Sequence, residues 1–74
     1  MKISIDELKA REEYAIWRRR NRVRLLDVSK YIGVSIPVLS RWENGINGIS
    51  DELLEKYNEY RVRFEAGEIH ARNQ

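Results

Sequence analysis

The stretch from Leu26 to Gly45, LDVSKYIGVSIPVLSRWENG, decides how this chain folds. It holds a short helix, a glycine turn, and a second helix with its own start and stop. Gly33 supplies the positive φ that ends the first helix. Ser35 is placed to cap the free N–H groups that open the second. Val28, Ile32, Val34, Leu39 and Trp42 fall where two crossed helices bury them against each other. Ser29 is small at the crossing point, where a large side chain would push the helices apart. Pro37 lies inside the first turn of the second helix, where it is tolerated, and Gly45 ends that helix. Two helices joined through Gly33-Val34-Ser35 are the sequence form of a helix-turn-helix. The spacing predicts helices over about 25–32 and 36–44.

Upstream, a helix is predicted over about 5–20. Ser4 with Glu7 is a capping box, and Ile3 with Leu8 has the spacing of a hydrophobic staple. Ile5, Leu8, Tyr14 and Trp17 are its expected inward positions, and Asn21 is the expected left-handed residue at its end. Downstream, Ile46 to Ile49 is a loop and Ser50 caps a last helix. Leu53, Tyr57, Tyr60 and Phe64 make a stripe on that helix, widened by Leu54 and Val62. Such a stripe serves either the core or a dimer surface, and spacing alone leaves both open. Ala66-Gly67 ends the helix, and 68–74 is expected to be a flexible tail. The fold class is therefore all-α, a small bundle of four to five helices in one domain over 1–67.

With 74 residues, 42% of them hydrophobic and 35% charged, the chain suits a single soluble helical domain with a modest core. It has no Cys, which removes disulfides and thiolate metal sites. His70 is the only His and lies in the expected tail, so neither a catalytic triad nor a His-based metal site can be assembled. No Gly-rich phosphate loop is present. An enzyme is not expected, and neither is a cofactor. No apolar run reaches the length of a membrane span and no signal-peptide pattern opens the chain, so the cytoplasm is the expected location.

The net charge of +2 is unevenly spread: residues 1–24 carry +4, 25–48 are neutral and 49–74 carry −2. The excess sits in Arg18-Arg19-Arg20-Asn21-Arg22-Val23-Arg24, directly before the helix-turn-helix. Such a cluster fits an anionic partner. It equally fits a solvated helix end whose arginines favour the negative dipole.

Over residues 18–45 the chain resembles the Cro/C1-type family of phage and bacterial helix-turn-helix proteins, with a lambda-repressor-like fold. Val23, Val28, Ser29, Gly33-Val34-Ser35, Leu39, Ser40, Trp42-Glu43 and Gly45 carry the resemblance. It implies a recognition helix at 36–44 lying in the major groove of double-stranded DNA. It also implies a structural pair between Arg18, near the end of the first helix, and Glu43, which closes the recognition helix. Two features depart from the family pattern. Leu25 stands where a Gln often bonds a phosphate, and the recognition helix opens Ile36-Pro37-Val38 instead of with polar residues.

On this reading Ser35, Ile36, Ser40 and Arg41 face bases. Ile36 suits a thymine methyl, and the Arg41 fork suits guanine O6 and N7. Arg19, Arg20, Arg22, Arg24, Tyr31 and Asn44 are the expected phosphate contacts, although a half-buried Tyr31 is the commoner arrangement. A homodimer on a two-fold site is expected, with Leu53, Tyr57, Tyr60 and Phe64 as its candidate surface. The function implied is a sequence-specific transcriptional regulator, a repressor of phage or mobile-element type. The alternative is a protein-interaction module on the same fold that binds another regulatory or host protein, because an apolar, Pro-containing face suits an interface.

Overall fold

A computed structural model of the chain describes residues 5–70, with side chains from residue 9 onward. Four helices follow one another: α1 (Ile5–Arg20), α2 (Leu25–Ile32), α3 (Ile36–Glu43) and α4 (Asp51–Glu65), with no strand among the described residues. None of these helices is long and apolar enough to cross a membrane. The Ser4–Glu7 capping box and the Ile3–Leu8 staple lie outside the described residues, as do the side chains of Ile5 and Leu8.

Helix α2 packs on both α3 and α4, and α1 packs on α3. The apolar periodicity of each helix meets at one core made by Trp17, Val23, Val28, Ile32, Leu39, Trp42, Tyr57 and Tyr60. Removing these side chains from water supplies the main favourable term, roughly 1.5–3 kcal/mol for each large one. Ser29 is buried at the α2 crossing, and its hydroxyl donates to the Leu26 carbonyl at 3.1 Å. The crossing therefore leaves no unpaired hydroxyl.

The helix starts follow local chemistry. Ser35 and Ser50 accept hydrogen bonds from the Val38 and Leu53 N–H groups, capping α3 and α4. Helix α2 starts differently, at Arg24. The Arg24 N–H donates to Asp27 Oδ2 at 3.2 Å, while its guanidinium holds the same carboxylate at 3.1 Å. Asp27 thus closes on the helix start.

The helix ends share one geometry with one exception in residue type. Gly33, Gly45 and Gly67 close α2, α3 and α4 at φ values of 81°, 78° and 81°. The corresponding position after α1 is Arg22, at φ 55°. Its N–H donates to the Arg19 carbonyl at 3.2 Å and the next N–H, of Val23, to the Arg18 carbonyl at 3.0 Å, the paired bonds of a Schellman end. The left-handed residue is thus Arg22, not Asn21. Asn21 instead bonds the Trp17 carbonyl through both its backbone N–H and its side chain. Val23 decides the register. It is 2% exposed, and the residue preceding it has to make the turn that drives it inward.

The last helix corrects two expectations. Tyr57 and Tyr60 are fully interior, so they offer nothing to a second copy; of the stripe, only Leu53 and Phe64 are half-buried. Val62 faces solvent, while Leu54, the other residue expected to widen the stripe, packs against the core. Beyond Gly67, Ile69 lies half-buried against the same core. Residues 68–70 are therefore part of the folded unit, and 71–74 lie outside the described residues.

Candidate nucleic-acid interface

Helix α3 has a fixed back and a free front. Leu39 and Trp42 are completely buried behind it, while Ile36, Pro37 and Arg41 are exposed and Ser40 is half-exposed. The free face follows from the 3.6-residue period, which puts 36, 37, 40, 41 and 44 on the side away from the core.

Three contacts hold the back of this helix. Arg18 of α1 donates from Nε to Glu43 Oε2 and from Nη2 to Glu43 Oε1, both at 2.9 Å. Its third nitrogen, Nη1, donates to the Val23 carbonyl at 2.9 Å. Tyr57 of α4 donates its hydroxyl to the same Glu43 Oε2 at 2.8 Å. One carboxylate at the end of α3 therefore joins α1, α3 and α4. Burial works against the charged guanidinium of Arg18, but the hydrogen bonds and charge of Glu43 outweigh it and hold Arg18 above its ordinary value. The Tyr57 hydroxyl is pushed far up, first by burial and then by the Glu43 charge and hydrogen bond.

Arg11 is the support that spacing along the chain could have revealed and did not. It shares a face of α1 with Tyr14, Ala15 and Arg18, is 2% exposed, and stacks its guanidinium 6.0 Å from the Trp42 ring. A Cβ at Gly45 would lie 2.9 Å from its Nη1. The end of α3 is thus closed by close approach of Arg11 as well as by the turn.

The expected phosphate contacts divide into two groups. Arg19, Arg20 and Arg22 are exposed and have no partner among the described residues. Arg24, Tyr31 and Asn44 are engaged elsewhere. Arg24 holds Asp27. Tyr31 donates to Glu59 Oε1 at 2.8 Å and sets its ring edge-on to Tyr60, 5.3 Å away. Burial, then the hydrogen bond to Glu59, raises the Tyr31 hydroxyl above its usual value. Asn44 donates from Nδ2 to the Ser40 carbonyl at 2.8 Å, closing α3. Among the residues expected to face bases, Ser35 is used in the cap, Ile36 and Arg41 are free, and Ser40 receives Asn44 Nδ2 at 3.5 Å.

A protein-family model described as Helix-turn-helix matches residues 17–60. The chain belongs to that family, the Cro/C1-type helix-turn-helix proteins, a family of DNA-binding regulatory domains. No curated protein and no solved structure matches the chain.

Proposed function

We propose that this protein is a sequence-specific DNA-binding transcriptional regulator, a repressor of phage or mobile-element type acting in the cytoplasm, with α3 entering the major groove. One observation carries the reading. Helix α3 is anchored from behind through Glu43 and Trp42, its front is open, and it is tied by Arg18 to the helix end that bears Arg19, Arg20 and Arg22. The three arginines are the phosphate contacts, and Ile36 and Arg41 are the base contacts. Three phosphate contacts per subunit bind weakly, so two copies occupy a two-fold site. With Tyr57 and Tyr60 taken up by the core, any seam on α4 falls to Leu53 and Phe64 at its margins.

The salt dependence of duplex binding tests this. Six phosphate contacts give a slope near −5 in log affinity against log salt, on the order of a 10³-fold loss between 50 and 200 mM. Replacing Arg19 and Arg20 with Ala flattens the slope by about 2 per subunit. The apolar front at Ile36 and Pro37 favours a second reading, a surface that docks another regulatory protein. Such docking is nearly insensitive to salt. Failure to retain any duplex from a random-sequence library at low salt would reject the first reading.

A further inference from the structure

The front of α3 has few hydrogen-bonding atoms left to offer a base pair. Ser35 Oγ accepts the Val38 N–H at 3.4 Å. Ser40 Oγ is met by Asn44 Nδ2 at 3.5 Å, and the same Nδ2 is committed to the Ser40 carbonyl. Glu43 is turned inward to Arg18 and Tyr57. Apart from the O–H donors of the two serine hydroxyls, what the front offers is an apolar edge at Ile36, 40% exposed, continued by Pro37, and the Arg41 guanidinium with no partner among the described residues.

The major groove presents one apolar group, the thymine 5-methyl, and guanine presents the paired acceptors that fit an arginine fork. Resting on the DNA-binding reading above, we infer that this protein selects its site mainly through thymine 5-methyl groups seated against Ile36 and Pro37, with a guanine read by Arg41. By the rise of a helix, Arg41 lies about 7.5 Å further along the axis than Ile36. Selection of this kind is sensitive to a single carbon atom at each contacted thymine.

The test uses the tightest duplexes recovered from a random-sequence library, resynthesised with each thymine replaced in turn by deoxyuridine. The base pair keeps its hydrogen bonds and loses only the methyl. Wild-type affinity falls about fourfold at each contacted thymine. The double variant Ile36→Ala/Pro37→Ala, with its fold checked by circular dichroism, binds the thymine and deoxyuridine duplexes equally. Equal wild-type affinity for both duplexes overturns the inference and leaves DNA binding standing. A deoxyuridine loss that persists in this double variant overturns it as well, because another residue then holds the methyl. Retention of no duplex at all rejects DNA binding itself and the inference with it.

Discussion

Arg18 and Glu43 meet as a two-pronged ion pair, with both N···O distances at 2.9 Å and the Glu43 side chain only 3% exposed. The geometry of the pair is favourable because the one remaining nitrogen, Arg18 Nη1, is satisfied by the Val23 carbonyl, and Glu43 Oε2 accepts a second bond from the Tyr57 hydroxyl. A buried pair is often no better than a well-packed apolar substitute, but breaking one from a single side strands the other charge.

Glu43→Ala therefore destabilises the protein by about 3–5 kcal/mol. A domain of this size loses roughly 4–8 °C of melting temperature per kcal/mol. Thermal unfolding followed by circular dichroism reads the loss directly. A melting temperature within 2 °C or so of wild type would show that the pair contributes little, since that shift corresponds to about 0.5 kcal/mol at most.

Arg22→Gly moves stability and DNA affinity in opposite directions. A non-glycine residue at φ 55° carries a left-handed strain of about 1 kcal/mol, partly offset in the variant by the looser unfolded chain. The variant is expected to melt a few degrees higher. On the proposed role of Arg22 it also loses one phosphate contact, so its salt slope is expected to flatten by about 1 per subunit. A variant both stabler and equally tight on DNA would mean that Arg22 touches no phosphate.

Gly45→Ala is more damaging than Gly33→Ala. Both glycines have positive φ, but a Cβ at Gly33 meets nothing within 4 Å, whereas one at Gly45 comes within 2.9 Å of Arg11 Nη1. The first change costs about 1 kcal/mol of strain. The second adds displacement of a guanidinium confined against Trp42. Denaturant midpoints of the two variants decide it, and equal midpoints would mean that Arg11 gives way freely.

Stability declines above about pH 10, and Tyr57 drives the decline. Its hydroxyl is raised by burial from an ordinary value of 10.0, so the unfolded chain loses that proton first. The contribution is fully present below pH 10 and is lost as pH rises toward the folded value, at about 1.4 kcal/mol per pH unit for one tyrosine. Tyr14 and Tyr60 are displaced upward by burial as well and add to the same decline. Tyr57→Phe is less stable at neutral pH because it removes the bond to Glu43, yet its stability falls less steeply above pH 10. Denaturant titrations at pH 8 to 11 measure both slopes, and parallel curves would remove Tyr57 from the account.

Much of the fold was legible in residues whose local chemistry and core role agree. Ser35, Pro37, Gly45, Ser50 and Gly67 mark helix ends by backbone requirements that involve only their neighbours. The unforeseen features depend on tertiary context. By type, Asn21 is the better left-handed residue than Arg22, but burial of Val23 sets the register. An arginine is an unusual helix start, and it serves here because Asp27 supplies the acceptor three residues on. Tyr31 is drawn from the expected phosphate contacts by Glu59 on α4, a partner that no local spacing announces. At the interface, exposure of Ile36 and Arg41 followed from the helical period, whereas the engagement of Arg24 and Asn44 did not.

The core of this protein is made largely of rings. Trp17 stands edge-on to Phe64 at 5.5 Å, and Tyr57 packs against both Tyr14 and Trp42 at 4.6 and 5.9 Å, with those two rings 6.2 Å apart. Aromatic side chains have few rotamers to lose, so such an interior is stiffer than an aliphatic one of equal volume. It also makes the protein its own optical probe. Both indoles are shielded from solvent, and Trp42 sits directly behind the exposed face of α3. Emission from the native protein is that of sheltered tryptophan, and any rearrangement of α3 on engaging a partner registers there without a label.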